Sequence, residues 1–188
     1  MMNGITPLKT SRRTFLKTGA ATILTTLFSH PAVAAIRPER PRTRELAFFN
    51  IHTGEALKTR YRSDGKLIYP AMRQINHIMR DYRTGEIKLV DPNLLDLLYR
   101  ISQKLNATCP IHIISGYRSA RTNAMLRRTT SGVARNSFHM AGRAIDIRIP
   151  GYRTDGLYQL AKHLEVGGVG YYPESDFVHL DTGPVRFW

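Results

Sequence analysis

The sequence predicts an α+β fold, in which a small antiparallel central sheet has flanking helices on one side. Two patterns support this prediction. Several short segments alternate apolar and polar residues, as in residues 144–149, where three isoleucines share one face, and this period is typical of strands. Longer segments repeat apolar residues every three or four positions, as amphipathic helices do. A chain of 188 residues is long enough for one such domain.

Residues 1–34 are expected to form a twin-arginine signal peptide rather than part of the fold. Residues 11–17, Ser-Arg-Arg-Thr-Phe-Leu-Lys, carry the twin-arginine motif. The apolar stretch that follows, 18–28, is too short and too polar to remain as a membrane span, and residues 32–34 form an A-x-A cleavage site. We therefore expect export by the twin-arginine translocon, cleavage after Ala34 and a periplasmic protein without a stable membrane span.

A flexible linker is expected at 35–44 and a single folded domain at 45–188. The linker carries Pro38, Pro41 and several charges, a composition that is typical of an extended tether. Cys109 is the only cysteine, so no internal disulfide can form. Nothing in the sequence indicates more than a monomer.

The charge of the chain predicts a polyanionic partner. Removing the four basic residues of the signal peptide from the 28 lysines and arginines leaves 24 against 14 acidic residues, a net charge of +10. In the periplasm the natural partners are peptidoglycan, with its free peptide carboxylates, and anionic lipid headgroups. The alternative is that the charge serves solubility alone. No nucleic-acid partner is expected, because the export signal argues against one and no aromatic–basic surface pattern is recognisable.

The first half of the domain is predicted to be scaffold. Residues 46–51 and 56–61 form two strands joined by a turn, which makes a hairpin. Residues 72–82 carry one apolar stripe and predict a helix that faces the core. Asp91 and Pro92 supply an N-cap and a first-turn proline for a second, more buried helix that continues to Leu105.

The second half of the domain alternates short strands with helices. Glycines open one of its strands and would let another backbone approach closely. Its predicted elements are a strand at 111–115, a helix at 120–128, a basic loop at 129–136, a strand at 144–149, a helix at 152–164, a strand at 167–173 and a strand at 178–181.

Two histidines and one aspartate form a candidate metal site. Asp146 lies on the polar face of the strand 144–149, seven residues after His139, and His179 lies on one face of the strand 178–181. If these strands pair antiparallel, His179 faces Asp146 across the ladder. Two imidazoles and one carboxylate, with room for a water, make a zinc site of the hydrolytic kind. From spacing alone, an ordinary ion pair beside a half-buried histidine stays open as the alternative.

Longer motifs resemble a known family. The pattern Ser137-x-His139-x-x-Gly142-x-Ala144-x-Asp146, with Val178-His179 downstream, is similar to the metal signature of the zinc D-alanyl-D-alanine peptidases. These enzymes share a fold with the lysostaphin-type peptidases and the hedgehog signalling domain. The resemblance is greatest to a twin-arginine-exported branch, the YcbK-like murein endopeptidases, and runs from about residue 44 to the end. Further similar stretches are 50–55, 80–83, 114–119, 167–173 and 179–184.

This resemblance implies a hedgehog/DD-peptidase-like fold and a zinc peptidase catalytic domain at 45–188. The implied activity is hydrolysis of peptide cross-links of peptidoglycan during cell-wall growth, at D-alanyl–diaminopimelate or diaminopimelate–diaminopimelate bonds. His139, Asp146 and His179 would bind Zn²⁺.

The resemblance also implies a substrate-binding arginine. Arg118 would bind a carboxylate or carbonyl of the substrate, because a guanidinium matches a carboxylate bidentately. Tyr117 and Ser137 would contribute to the same substrate site. A structural role for Arg118, tying its loop to a backbone carbonyl, is the alternative.

Two other functions stay open. One is a D,D- or L,D-carboxypeptidase, which would shorten a stem peptide and leave cross-links intact. The other is a non-catalytic peptidoglycan-binding module stabilised by zinc. A fourth protein ligand, such as His52 or His112, would favour the binding module because it would close the open coordination position.

The general base is open between two aspartates. Peptide hydrolysis needs a group that takes a proton from water and returns it to the amine. Dipeptide-cleaving relatives carry a glutamate three residues before the second histidine, and Asp176 occupies that position. Asp181 shares a strand face with His179 and is either the base or a partner that orients the imidazole. Glu174 is the third option.

Overall fold

The computed structural model describes residues 43–188, so the expected signal peptide and most of the expected linker lie outside the described residues. The last two linker residues, Thr43 and Arg44, belong instead to the first strand. The elements are β1 Thr43–Asn50, β2 Ala56–Ser63, β3 Lys66–Leu67, α1 Tyr69–Ile78, α2 Pro92–Leu105, β4 Ile111–Ser115, α3 Ala120–Thr129, a short 3₁₀ helix Phe138–Ala141, β5 Ala144–Arg148, α4 Thr154–His163, β6 Gly168–Tyr172, β7 Phe177–Asp181 and β8 Arg186–Phe187.

The eight strands form one sheet in the order β3-β2-β1-β4-β5-β7-β6-β8. The predicted α+β class is confirmed, but the sheet is mixed: β1 pairs with β4 and β6 with β8 in parallel, and the other five pairs are antiparallel. The first parallel pair arises because the chain crosses over through α1 and α2 before it adds β4 beside β1. The second involves β8, which no sequence pattern predicts.

A single apolar core joins one face of the sheet to three helices. Ile145 and Ile147 of β5 and Val178 and Leu180 of β7 are fully buried in it. Burial of each such side chain contributes about 1.5–3 kcal/mol. Helices α1, α2 and α4 supply the other side of this core, whereas α3 supplies none of its buried apolar residues. The opposite face of β5 and β7 is therefore left for polar groups.

Helix boundaries follow local chemistry. The carboxylate of Asp91 accepts a hydrogen bond from the Asn93 amide and caps α2, as the sequence predicts. Helix α1 begins earlier than predicted, with Pro70 in its first turn, and ends at Ile78. Tyr82 consequently lies beyond the helix. No helix within residues 43–188 combines the length and the hydrophobicity that crossing a membrane requires.

Candidate active site

Three donor atoms converge on the polar face of β5 and β7. The two strands pair antiparallel with Asp146 directly opposite His179, as predicted. Nδ1 of His179 lies 2.8 Å from Oδ1 of Asp146. Nε2 of His139, from the 3₁₀ helix, lies 3.2 Å from each of those two atoms. All three residues are buried.

The turn that carries His139 explains the Ser-x-His-x-x-Gly spacing. The Oγ of Ser137 accepts a hydrogen bond from the His139 amide and caps the 3₁₀ helix. Gly142 ends that helix with φ 67°, a left-handed conformation that favours glycine. A Cβ at Gly142 would lie 2.2 Å from the Leu89 carbonyl oxygen. The turn is therefore held at both ends, and His139 is fixed between them.

Each histidine is oriented through its remote nitrogen. His139 Nδ1 lies 2.7 Å from the Gly116 carbonyl oxygen, and His179 Nε2 lies 2.9 Å from Oδ2 of Asp181. Because both oxygens only accept, these nitrogens carry the hydrogens, and the other two nitrogens can offer lone pairs to a metal. Burial lowers the pKa of His179, but hydrogen bonds with Asp146 and Asp181 outweigh it and raise that pKa to about 9, so a metal that binds Nδ1 would displace a proton from it.

The donor set fits a zinc-type site. Ligand atoms held at the usual zinc distances in a tetrahedral arrangement are about 3.3 Å apart, close to the separations between these three. Within residues 43–188 these three residues are the only such His, Cys, Asp and Glu cluster. His52 Nε2 bonds with the Ile114 carbonyl, and His112 packs against Phe49. Neither of these histidines joins the cluster to close a fourth position.

A cavity of about 920 Å³ opens over the three donors, and Arg118 lies in its wall. The Arg118 side chain is 12% exposed, with Nη2 3.3 Å from Ser115 Oγ and 3.6 Å from Asp146 Oδ2. Its Nε is buried without a hydrogen-bond partner. Burial lowers the pKa of Arg118, against the raising effect of Asp146. An underpaired guanidinium in a cavity is suited to a carboxylate or carbonyl ligand.

The loop that carries Arg118 is rigidly held. The Tyr117 amide donates to the Met79 carbonyl at 2.7 Å, and the Ser119 amide donates to Asp81 at 2.9 Å. The side chain of Tyr117 is not part of the cavity wall, and its contact with substrate stays a prediction. Burial raises the pKa of Tyr117, and the charges of Glu86 and Asp81 add to the effect. Ser137 does line the cavity.

Neither aspartate expected as the base lies in the cavity wall. Asp176 has a left-handed backbone conformation, φ 50°, and its carboxylate bonds with Arg148 and Thr154 instead. Asp181 is fully buried behind His179. The left-handed turn at Asp176 therefore accompanies a carboxylate that bonds outside the cavity wall.

The cavity wall also contains Glu174, the third option for the base, and two residues that no sequence pattern singled out. Glu174 is the one carboxylate in the wall besides Asp146, as far as residues 43–188 are concerned. Arg186 and Trp188 reach the wall from the C-terminus. A signal for their position exists in the glycines of β6, since a Cβ at Gly170 would lie 2.5 Å from the Trp188 indole.

Comparisons with known proteins cover nearly the entire chain. The family model Peptidase_M15_2, described as peptidoglycan L,D-endopeptidase MepK, matches residues 39–188. The chain is 41% identical over 178 residues to the peptidoglycan L,D-endopeptidase MepK of Escherichia coli (strain K12), covering 95% of this chain and 97% of that protein. It is 42% identical over 180 residues to the probable peptidoglycan L,D-endopeptidase MepK of Haemophilus influenzae, covering 95% of each. The cavity and its three donors lie inside the matched region.

Proposed function

The chain belongs to the Peptidase_M15_2 family, as the motif resemblance implied, and on that basis we propose that it is a zinc-dependent murein endopeptidase that hydrolyses L,D cross-links of peptidoglycan. The observation that carries the proposal is the convergence of His139 Nε2, Asp146 Oδ1 and His179 Nδ1 beneath an open cavity. A binding module with structural zinc is disfavoured, because His52 and His112 are engaged elsewhere.

The cross-link is inferred from stereochemistry. An L,D-endopeptidase cleaves an amide whose carbonyl belongs to an L-centre and whose nitrogen belongs to a D-centre. The diaminopimelate–diaminopimelate link has this arrangement, whereas the D-alanyl–diaminopimelate link has D-centres on both sides. Since both relatives are named L,D-endopeptidases, we assign the diaminopimelate–diaminopimelate bond as the substrate of this chain.

Zinc held by the three donors would lower the pKa of a bound water and polarise the scissile carbonyl. Arg118 has a complementary task, because the amine side of the scissile amide carries a free carboxylate beside it. A bidentate pair between that carboxylate and the guanidinium fixes the amide over the donors. The loop bonds at Tyr117 and Ser119 keep the guanidinium in place before substrate arrives.

Proton transfer is assigned to Glu174 rather than to Asp176 or Asp181. The group must accept a proton from the attacking water and deliver it to the departing amine nitrogen. Glu174 lies in the cavity wall, where both partners would be, while Asp176 bonds with Arg148 outside it. Asp181 instead orients the imidazole of His179.

The place of action follows from the substrate. The matched relatives are named for peptidoglycan, which lies outside the cytoplasm, and the twin-arginine motif at 11–17 supports export to the periplasm by the twin-arginine translocon. The excess of basic residues suits a polymer that carries free carboxylates. We take the exported protein to act as a monomer.

The test is product analysis of purified cross-linked muropeptide dimers by mass spectrometry. The protein without residues 1–34, loaded with zinc, is expected to convert diaminopimelate-linked dimers to monomers, while His139→Ala leaves them intact. Cleavage of D-alanyl-linked dimers alone would contradict the assigned bond. Intact dimers with a shortened stem would indicate a carboxypeptidase. Binding to peptidoglycan without any product from folded, zinc-loaded protein would favour the binding module.

A further inference from the structure

Strand β8 and the residue after it, Trp188, lie beside the donor cluster. Strand β8 pairs in parallel with β6, with Arg186 opposite Gly168. The Trp188 amide donates to the Val169 carbonyl at 3.2 Å, and the Tyr171 amide donates to the Trp188 carbonyl at 2.9 Å. The C-terminus is thus hydrogen-bonded into the sheet to its final residue.

Arg186 grips the carboxylate that orients His179. Its Nη2 lies 2.6 Å from Oδ2 of Asp181, and its Nη1 lies 3.1 Å from Oδ1, so the pair is bidentate. Oδ2 is also the atom that accepts from His179 Nε2 at 2.9 Å. Asp181 is fully buried, and its Oδ1 accepts from the amides of Gly168 and Gly183 as well. A continuous set of contacts therefore runs from Arg186 through Asp181 to a metal-facing imidazole.

Two aromatic rings lie against the Arg186 guanidinium. The guanidinium carbon of Arg186 lies 5.3 Å from the Phe138 ring centroid and 5.0 Å from that of Trp188, within cation–π range. Phe138 directly precedes His139, and the Trp188 ring lies 5.3 Å from that of His179. The same guanidinium is consequently packed against neighbours of both histidine donors.

Three glycines provide the space for this arrangement. A Cβ at Gly168 would lie 2.5 Å from Arg186 Nη1 and equally close to Asp181 Oδ2. At Gly170 it would meet the Trp188 indole, and at Gly183 the Phe138 ring, each at 2.5 Å. A side chain at any of these positions would displace Arg186, Asp181 or one of the two rings. The glycines are therefore required for the observed position of Arg186.

We propose that Arg186 is a positioning residue of the metal centre, which holds the Asp181 carboxylate in the orientation that directs His179 Nδ1 toward the metal. The inference rests on the proposed zinc site and adds the C-terminal strand to it. Partners of this kind typically change metal affinity by 10–100-fold when they are removed. Arg186 acts through Asp181, which keeps two amide donors without it, so we expect the lower end, about tenfold.

The test measures metal binding rather than activity alone. Zn²⁺ is titrated against a chromophoric chelator, and the Co²⁺-loaded protein is examined by visible absorption. We expect Arg186→Gln to bind Zn²⁺ about tenfold more weakly than wild type and to show an altered Co²⁺ spectrum. The matched control is Arg44→Gln. Arg44 lies on β1, and its guanidinium lies at the same 2.6 Å from a carboxylate, that of Asp96 on α2. This control should keep wild-type affinity and spectrum.

The outcomes separate the inference from the proposed function. If wild type itself binds neither ion, the zinc site is wrong. If wild type binds and Arg186→Gln matches it in affinity and spectrum, the site stands and the positioning role is overturned; an equal loss in Arg44→Gln overturns it too. Should Arg186→Gln not fold, Arg186→Lys decides, because lysine keeps the charge but not the bidentate grip: unchanged affinity there overturns the inference, and reduced affinity supports it.

Discussion

Two buried rings in this fold bond to a carboxylate that arginine also holds, and only one of the two assemblies faces a cavity. In the first half of the domain, where the β1–β2 hairpin packs, the Tyr61 hydroxyl donates to Asp96 of α2 at 2.8 Å. Arg44 and Arg62 pair with the same carboxylate. In the other half, His179 bonds to Asp181, which Arg186 holds. The arrangement of guanidinium, carboxylate and ring is common to both.

The difference lies in the ring. The phenol of Tyr61 has a single polar atom, so its hydrogen bond to Asp96 ends the assembly. Burial raises the pKa of Tyr61, and the hydrogen bond with Asp96 raises it further. The imidazole of His179 has a second nitrogen, which faces Asp146 and His139. The closed assembly of Tyr61 and Asp96 stabilises the fold, whereas the assembly of His179 and Asp181 presents a second nitrogen that can bind a metal and so support chemistry.

The largest expected effect comes from removing that second nitrogen. His179→Ala takes away one of three donors, so kcat/KM for the cross-linked dimer should fall by at least about 10³-fold, since metal catalysis supplies several kcal/mol of transition-state stabilisation. Zinc should raise the Tm of wild type, because it binds the folded state alone, and should not raise that of the variant. A variant that kept the zinc-dependent shift in Tm would place the metal elsewhere.

Strand periodicity predicted which faces Asp146 and His179 occupy, and the family resemblance was needed to interpret them as metal ligands. The period of two puts Asp146 and His179 on polar faces, and antiparallel neighbours then bring them opposite each other, as observed. The Ser137 cap and the left-handed Gly142, which fix the turn at His139, follow a local motif whose geometry the structure shows. These features depend on local geometry, which a sequence pattern reports directly.

Features set by longer-range geometry were missed. The parallel pairing of β1 with β4 depends on the path through α1 and α2, which periodicity does not report. The direction of the Asp176 side chain depends on a left-handed turn residue that is not glycine. Strand β8 has two residues, too few to show any alternation. The glycines of β6 leave space for Arg186 and Trp188 beside this strand, and only the structure shows which residues occupy that space.

The second prediction compares two nearby acids. Glu174→Gln should lower kcat by about 10²–10⁴-fold with little change in KM, because proton transfer is lost while binding remains. Asp176→Asn should leave kcat within about twofold, since its carboxylate bonds with Arg148 and Thr154 outside the cavity. Steady-state kinetics on the dimer distinguish them. The opposite ranking would return the proton-transfer role to Asp176.

A third prediction concerns the hydrogen bond between Tyr61 and Asp96, the counterpart of the bond between His179 and Asp181. Tyr61→Phe removes a buried hydroxyl that donates to the Asp96 carboxylate, so the free energy of unfolding should fall by about 1.5–3 kcal/mol. The rise in Tm that zinc causes should equal that of wild type, and kcat/KM should stay at the wild-type value. Urea denaturation with and without zinc measures the effect. A loss of kcat/KM in folded Tyr61→Phe would mean that the two halves of the sheet are coupled.

The smallest expected effect tests the hairpin half by pH. Glu55 accepts hydrogen bonds from Arg80, at 2.8 and 3.2 Å, and from Thr53, and these lower its pKa to about 2. Its ordinary pKa is about 4.3, so the folded state gains stability above that value and loses it as the pH falls toward 2. The side chain is 37% exposed, which reduces the contribution to about 0.5–1 kcal/mol.

Glu55→Gln isolates this contribution. Urea denaturation of both proteins in the presence of a chelator should give a lower free energy of unfolding for the variant at pH 6. At pH 2.5 the difference should shrink to about a quarter of that value, because Glu55 is then protonated in the unfolded chain but still largely ionised in the folded one. Other carboxylates titrate equally in the two proteins and cancel. A difference that persisted unchanged at pH 2.5 would show that Glu55 holds Arg80 by geometry rather than by charge, and that this end of the hairpin is insensitive to acid.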